Sequence, residues 1–380
     1  MNLTQLTTDE ALRRREFPVC ADKIFLAHAA VSPLPRVVKT AMQEYLEAAA
    51  HDQQEAVLAA RFVAETRQLA AELTDARADE IAFTGSTSMG LAMVATGLDW
   101  RPGDNVVCYR DDYPANVYPW MDLARRGVEV RFVEPRVAGL ITAEDLAPAL
   151  DARTRLVALA SAHFVTGWRL DVDAIGTFLH QRGILFCLDA IQTLGALRTS
   201  FRHVDFAAAD AHKWLLGPLG TAILFVRREH FDRLRPALVG WSSAACPGFI
   251  AQAELKFWPD ARRYEPGSLN LVGIAGLDAA LRLLAETGIT GIEQRVVALA
   301  SRVRNGVVNR GYRLLGPATA PTSIVSFTKP DTDLTVTQAR LLKDGIHVSL
   351  RQRRDGAKCL RVAPHFYNTE AEIDRLLAGL

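Results

Sequence analysis

"ADAHKWLLGPLG" (residues 209–220) sets a His-Lys pair between the end of one strand-like run and the start of another. What surrounds that lysine decides the fold. Upstream, "ILFCL" (184–188) and "LVALA" (156–160) are apolar throughout, the pattern of a strand covered on both faces. Strand candidates at 80–84, 105–109, 128–133, 155–161, 184–189, 206–208 and 221–226 alternate with helical patterns. One of these covers 171–181, and another opens at Thr142 with Asp145 three residues on. Such alternation predicts an α/β fold built on a mostly parallel sheet with helices on both sides. Beyond residue 257 the pattern changes to helices over 272–286 and 290–310, short strands around 322–328 and 347–350, and an amphipathic helix over 369–380. The expected organisation is a large body over 15–257 and a smaller α+β body over 258–380 joined by residues 1–14.

Composition narrows the function classes. Lys and Arg number 44 against 43 Asp and Glu, a formal charge of +1, and the run Arg13, Arg14, Arg15 is followed at once by Glu16. A nucleic-acid or anionic-membrane partner is therefore disfavoured. Cys20, Cys108, Cys187, Cys246 and Cys359 form no C-x-x-C pair and leave one over, which suits a reduced cytoplasmic protein better than a disulfide framework or a zinc site. Residues 1–16 carry no apolar run of a signal segment, and nothing approaches a membrane span.

In an open parallel sheet, ligands sit at the carboxyl ends of the strands. Three groups fall at such ends: Asp189 with Gln192 three residues on, Thr84 before "GSTSMG", and the run "FAAADAH" leading into Lys213. Each has a structural explanation of its own: a helix cap for Asp189 and for Gly85–Ser88, a solvated lysine beside a satisfied histidine for His212-Lys213. Exposed helix-start amides flanked by hydroxyls are equally a phosphate site. Gly217, Pro218 and Gly220 imply a specially shaped turn directly after the lysine. No G-x-G-x-x-G follows the first strand, which disfavours a nicotinamide dehydrogenase.

Together these stretches resemble the class V aminotransferases, pyridoxal-phosphate (PLP) enzymes of fold type I that include cysteine desulfurases, selenocysteine lyases and isopenicillin N epimerases. "CLDAIQTLGALRTSFRHVDFAAADAHKWLLGPLGTAILFV" is similar to that family's cofactor-lysine region and "FTGSTSMGL" to its phosphate loop. "DYPANVYPW" resembles its ring-stacking segment, "YEPGSLN" its subunit-crossing phosphate segment, "LRVAPHFYNTEAEIDRLL" its carboxylate-binding region and "FLAHAAVSPLP" its N-terminal segment. The likeness runs over nearly the whole chain in order.

The resemblance implies pyridoxal 5'-phosphate as cofactor and a role for each matching residue. Lys213 would be the Schiff-base lysine and the base that moves the α-proton; Asp189 would pair with the pyridine nitrogen and Gln192 with the ring hydroxyl. Ser86, Thr87, Asp210 and His212 would surround the phosphate. Ser268 would reach it from a partner subunit, which implies a homodimer. Asp210 stands where desulfurases usually carry serine, and a carboxylate cannot donate to phosphate. Tyr113 would stack on the ring, and Arg361 would clamp the α-carboxylate of an amino-acid substrate.

Two departures separate the chain from cysteine desulfurases: Tyr113 stands in place of their stacking histidine, and the loop before Arg361 is short, its one cysteine, Cys359, two residues from the arginine. The expectation is therefore a lyase or epimerase close to the isopenicillin N epimerase and selenocysteine lyase branch, with desulfuration disfavoured. True transamination and a non-catalytic binding protein on the same fold are the alternatives. His28, His163, Trp241, Arg351 and His365 are candidate substrate-side groups, each more often structural than functional. Arg351, Arg353 and Arg354 either favour a second carboxylate on the substrate or form a solvated turn.

Overall fold

The computed structural model describes residues 3–58 and 60–380. Its strands are β1 (Ile24–Phe25), β2 (Ile81–Thr84), β3 (Asn105–Tyr109), β4 (Glu129–Val133), β5 (Thr154–Ala160), β6 (Leu185–Asp189), β7 (Phe206–Asp210), β8 (Ala222–Val226), β9 (Arg313–Leu314), β10 (Val325–Thr328), β11 (Ile346–His347), β12 (Ser349–Gln352) and β13 (Lys358–Val362). Seven of them form one sheet in the order β2-β8-β7-β6-β5-β3-β4. All its pairings are parallel except those of β8, which runs against both β2 and β7. The predicted α/β architecture is present, and each of its seven strands lies within two residues of its expected bounds.

The apolar runs have a direct cause. Along β3, β5 and β6 consecutive residues enter opposite buried clusters. Val107, Val157, Phe186 and Leu188 face one side; Val106, Cys108, Leu156, Ala158 and Cys187 face the other. With no solvent face, every position must be apolar, and fully burying a side chain such as Phe186 is worth about 1.5–3 kcal/mol. The helix Leu271–Thr287 covers the first side through Ile274, Leu277 and Leu281, packed against the helices Arg36–Ala49 and Ala60–Leu73. The helix Thr87–Gly97 covers the second, lying on β7. The smaller sheet, β12-β13-β10-β9, is wholly antiparallel and buries Val325, Phe327, Leu360 and Val362 beneath the terminal helix Glu370–Ala378.

Two local expectations change. The helix opened by Thr142 does have its capping box with Asp145, but it ends at Leu146 and continues as a 3-10 turn containing Pro148, which lacks the amide a longer helix needs. The strand β13 escaped notice because "KCLRV" mixes charge with apolar residues. Its arginine is nevertheless buried.

At the amino-terminal edge of the large sheet, Asp205 accepts from His230 Nε2 at 2.7 Å, from His180 Nε2 at 3.1 Å and from the Phe186 amide at 2.7 Å. Burial alone would raise its pKa, but these donors hold it well below the carboxylate range, while the Asp205 hydrogen bond raises that of His180. The His180 contribution is complete below the ordinary histidine value and fades as pH rises through the raised folded one. Asp205→Ala should therefore cost about 3–5 kcal/mol near pH 6 and less by pH 8.5. Urea titrations at both pH values check this, and a pH-independent difference would refute it.

Candidate active site

The carboxyl edge of the large sheet gathers the groups singled out from sequence. Lys213 lies just past the end of β7, 8 % exposed, on a turn closed by Leu216 N–H to the Lys213 carbonyl and Gly217 N–H to that of Ala211. Leu216 holds φ +60°, a left-handed conformation that costs a branched residue of order 1–3 kcal/mol. Gly195 must be glycine for this turn to pack, because a Cβ there would stand 2.4 Å from the Trp214 carbonyl oxygen. Burial lowers the Lys213 pKa to about 8 against the pull of Asp189, with the positive charges of Arg361 and Arg351 lowering it further.

Asp189 ends β6, almost fully buried, and takes a hydrogen bond from the Ile191 amide at 3.1 Å. Burial raises it to about 6, opposed by that amide and by Lys213. The Tyr113 ring lies 5.4 Å from Lys213 Nζ and edge-on to Phe164, and it is 46 % exposed.

Arg361, on β13, is 1 % exposed. Its Nη1 donates to the Phe164 carbonyl at 2.6 Å, while Nε and Nη2 are buried without partners. Those two nitrogens form one edge of the guanidinium fork, the edge that meets a carboxylate in a bidentate pair. Burial, then the charge of Arg351, lowers its pKa to about 9. A buried cation left this open is costly unless an anion arrives.

The phosphate-side residues sit at the start of the helix Thr87–Gly97. Ser86 is its N-cap, accepting from the Met89 amide at 3.1 Å. Asp210 accepts from the Thr87 amide at 2.9 Å, and its own amide donates to Thr87 Oγ1 at 2.8 Å. The doubt over Asp210 thus has a geometric answer: it latches β7 to the helix start as an acceptor. His212 Nδ1 is buried without a hydrogen-bond partner, 3.6 Å from Asp210 Oδ1, and Thr84 Oγ1 is likewise unpartnered. Gln192 is tied at both ends, Oε1 accepting from Trp214 Nε1 at 3.1 Å and Nε2 donating to the Ala29 carbonyl at 3.2 Å. Its amide keeps one further donor hydrogen. Ser268 donates to Glu55 within the same chain at 3.0 Å and lines a recess of about 330 Å³ with Thr84, Gly85, Met89 and Asn270.

Three of the substrate-side candidates, His28, His163 and His365, are tied into the fold by hydrogen bonds. His28 is fully buried between the Ala363 carbonyl and the Tyr367 hydroxyl. His163 bonds Thr166 and the Asp111 carbonyl; His365 bonds the Trp214 carbonyl and the Phe366 amide. Trp241 is half exposed against Phe249, away from these contacts. Cys359 is fully buried on β13, and burial pushes its thiol up to about 11.

Sequence reading missed Asp112. Its Oδ1 accepts from the Tyr113 amide at 3.0 Å and its Oδ2 from Asn116 Nδ2 and the Ala160 amide, both at 3.1 Å. It pins the Tyr113 segment to the end of β5, and burial followed by the charge of Asp189 lifts it to about 7. An acid directly before Tyr113 was the available signal. A cavity of about 740 Å³ between Trp168, Arg198 and Ile289 includes neither Lys213 nor Arg361.

The comparisons with known proteins agree with this geometry. A family model described as Aminotransferase class-V matches residues 24–376. A protein of Methanothermobacter thermautotrophicus named as a probable cysteine desulfurase is 30 % identical, covering 96 % of this chain and 95 % of its own. Among solved structures, a cysteine desulfurase from Thermococcus onnurineus superposes with a TM-score of 0.88 at 25 % identity, covering 97 % of this chain and 96 % of that one. C-DES matches twice: a mutant with glycine covalently linked to its PLP cofactor (TM-score 0.87, 25 % identity, 96 % and 98 % covered), and a cystine C-S lyase complexed with its product, cysteine persulfide (0.86, 26 %, 95 % and 98 %). These matches overturn the expectation that disfavoured desulfuration. Its premises were Tyr113 in place of a stacking histidine and the position of Cys359, but an immobile thiol removes one carrier for sulfur, not the cleavage of a carbon–sulfur bond.

Proposed function

The chain belongs to the class V aminotransferases, PLP-dependent enzymes of fold type I, and from that premise we propose that it breaks the Cβ–S bond of a cysteine-type amino acid. The observation that carries the amino-acid part is the open Nε–Nη2 edge of buried Arg361 beside Lys213. The relatives named for cysteine desulfuration and cystine C–S cleavage supply the bond.

The residues fit the cofactor. Asp189 has carboxylate capacity left for a ring N–H, His212 Nδ1 and Thr84 Oγ1 are unpartnered near the helix start, and Lys213 has an amine that burial keeps partly neutral. When bound, pyridoxal phosphate supplies an electron sink for the pair released at the α-carbon. Lys213 anchors it and then takes the α-proton, a duty suited to an amine of pKa about 8. Asp189, mostly ionised at neutral pH, holds a proton on the ring nitrogen. Arg361 fixes the α-carboxylate and so orients the Cα–H bond. Tyr113 would lie over the ring, Gln192 would offer its spare hydrogen to the ring hydroxyl, and Ser86, Thr87 and His212 would hold the phosphate. Asp210 and Asp112 position the Thr87 and Tyr113 segments.

We read the enzyme as a cytoplasmic homodimer. No helix among the described residues is long and apolar enough to cross a membrane. Met89, Tyr118, Trp241, Phe249 and Ile250 expose apolar surface of the kind an interface covers, and Ser268 borders the recess by Gly85 where a second copy would meet the phosphate loop. We place residues 15–257 together with the helix Leu271–Thr287, which packs on the large sheet, in the cofactor-holding body, a correction to the expected boundary at 257, and the rest of 258–380 with 1–14 in the smaller one.

The test is to supply cysteine and cystine to the PLP-loaded protein without a keto acid. The expected products are sulfide or persulfide, with alanine or pyruvate. Stoichiometric amino transfer to the cofactor with no sulfur released would defeat the reading.

A further inference from the structure

The side-chain amide of Gln192 has two ends of opposite chemistry, an oxygen that only accepts and an NH2 that only donates. Its neighbours decide which end goes where. Trp214 Nε1 meets Oε1 at 3.1 Å, and the Ala29 carbonyl meets Nε2 at 3.2 Å. An indole N–H only donates and a backbone carbonyl only accepts, so turning the amide over would set donor against donor at one end and acceptor against acceptor at the other. Both side chains are buried, which leaves a mismatched group uncompensated. With both neighbours satisfied, one N–H remains on the amide nitrogen.

Trp214 is itself held from behind. Its carbonyl accepts from His365 Nε2 at 2.9 Å, and because His365 Nδ1 accepts from the Phe366 amide at 2.8 Å, the ring proton belongs on Nε2. Burial keeps that ring neutral, its pKa lowered to about 4. The same carbonyl is the atom that Gly195 leaves room for. Trp214 directly follows Lys213, so the residue that sets the Gln192 amide and the residue that carries the amine are consecutive in one fixed turn. Without the indole N–H, Gln192 Oε1 would be buried with no donor, and only the Ala29 contact would restrain the amide.

We propose that Trp214 is a positioning residue for the cofactor: its indole N–H holds the Gln192 amide in the one orientation that leaves an N–H, rather than an oxygen, for the ring hydroxyl. This rests on the placement of Gln192 at that hydroxyl given above and is independent of which bond the enzyme breaks. The consequence reaches Lys213. An N–H donated to the ring oxygen draws charge from it, and a ring oxygen with less charge holds a proton on the neighbouring Lys213 nitrogen less firmly. The Trp214 indole thus eases loss of that proton while donating to neither group. Asp189, Arg361, Asp210 and Arg351 also act on the Lys213 nitrogen, and none of them is a hydrogen-bond partner of Trp214.

The experiment follows the colour of the PLP-loaded enzyme against pH, yellow while the Lys213 nitrogen joined to the cofactor is protonated. Gln192→Ala should move the midpoint upward by about one unit, the scale of one charge-assisted hydrogen bond. Trp214→Phe, which keeps an aromatic ring and removes the N–H, should move it upward by a comparable amount. The double variant should shift no further than Gln192→Ala, since one residue acts through the other. Because Trp214→Phe opens space in a packed core, the benzothienyl isostere of tryptophan at position 214, equal in shape and lacking the N–H, is the second variant and should give the same shift. A Trp214 of merely structural role would lower the thermal midpoint and leave the colour transition in place. An unmoved transition in both Trp214 variants beside a shifted Gln192→Ala overturns the role of Trp214 alone, as do additive shifts in the double variant. A transition that Gln192→Ala leaves in place overturns the placement of Gln192 and this proposal with it. Sulfur release from cysteine or cystine reads the carbon–sulfur proposal separately from all of these.

Discussion

Lys213→Ala is expected to lower turnover of cysteine or cystine by at least about 10²–10⁴-fold, the usual share of a positioned proton-transfer group, and to abolish covalent attachment of the cofactor. The two losses test separate duties. Lys213 is buried, and the turn carrying it is fixed by backbone hydrogen bonds and by Gly195 rather than by its side chain. The variant should therefore fold and still bind the cofactor noncovalently through the phosphate side. Added methylamine should restore part of the rate if the lost group is a base of the right reach. A variant that retains most of its turnover would remove Lys213 from the mechanism.

Arg361→Gln should reduce kcat/KM by about 30- to 3,000-fold, corresponding to about 2–5 kcal/mol for one side of a buried, hydrogen-bonded charge pair. Most of that loss should appear in KM, because the carboxylate is held before and during bond cleavage alike. The same substitution has the opposite sign for the unliganded protein. Arg361 has no counter-ion and burial drives its pKa down to about 9, so removing the charge should leave the thermal midpoint of the substrate-free enzyme unchanged or raised. A lowered midpoint together with an unchanged KM would make Arg361 a structural residue.

The large sheet was legible because its strands obey a local rule. β3, β5 and β6 are covered on both faces, so burial writes itself into every consecutive residue. β13 was not, because "KCLRV" owes its burial to a partner lying far off in sequence, the body that supplies the Phe164 carbonyl to Arg361. The site divides along the same line. Lys213 and Asp189 follow recognisable strand ends, and Arg361 was found only through family resemblance. Asp112 was overlooked because its importance lies in two contacts across the sheet edge, with Ala160 and, through the field, with Asp189. The desulfuration error had another source: two local differences, at Tyr113 and Cys359, were made to stand for a whole reaction.

The reversed strand β8 also bears on the order in which the chain assembles. Lys213 lies in the connection between β7 and β8, neighbours that pair antiparallel and near in sequence. Contacts between nearby segments close with little loop entropy and form early, whereas β2 joins β8 only by drawing in a distant part of the chain, as does Arg361 in reaching Phe164. Refolding should therefore shape the lysine turn first and deliver the arginine late. A nascent chain halted just past residue 226 holds the whole of the Lys213 turn and none of the strand that carries Arg361.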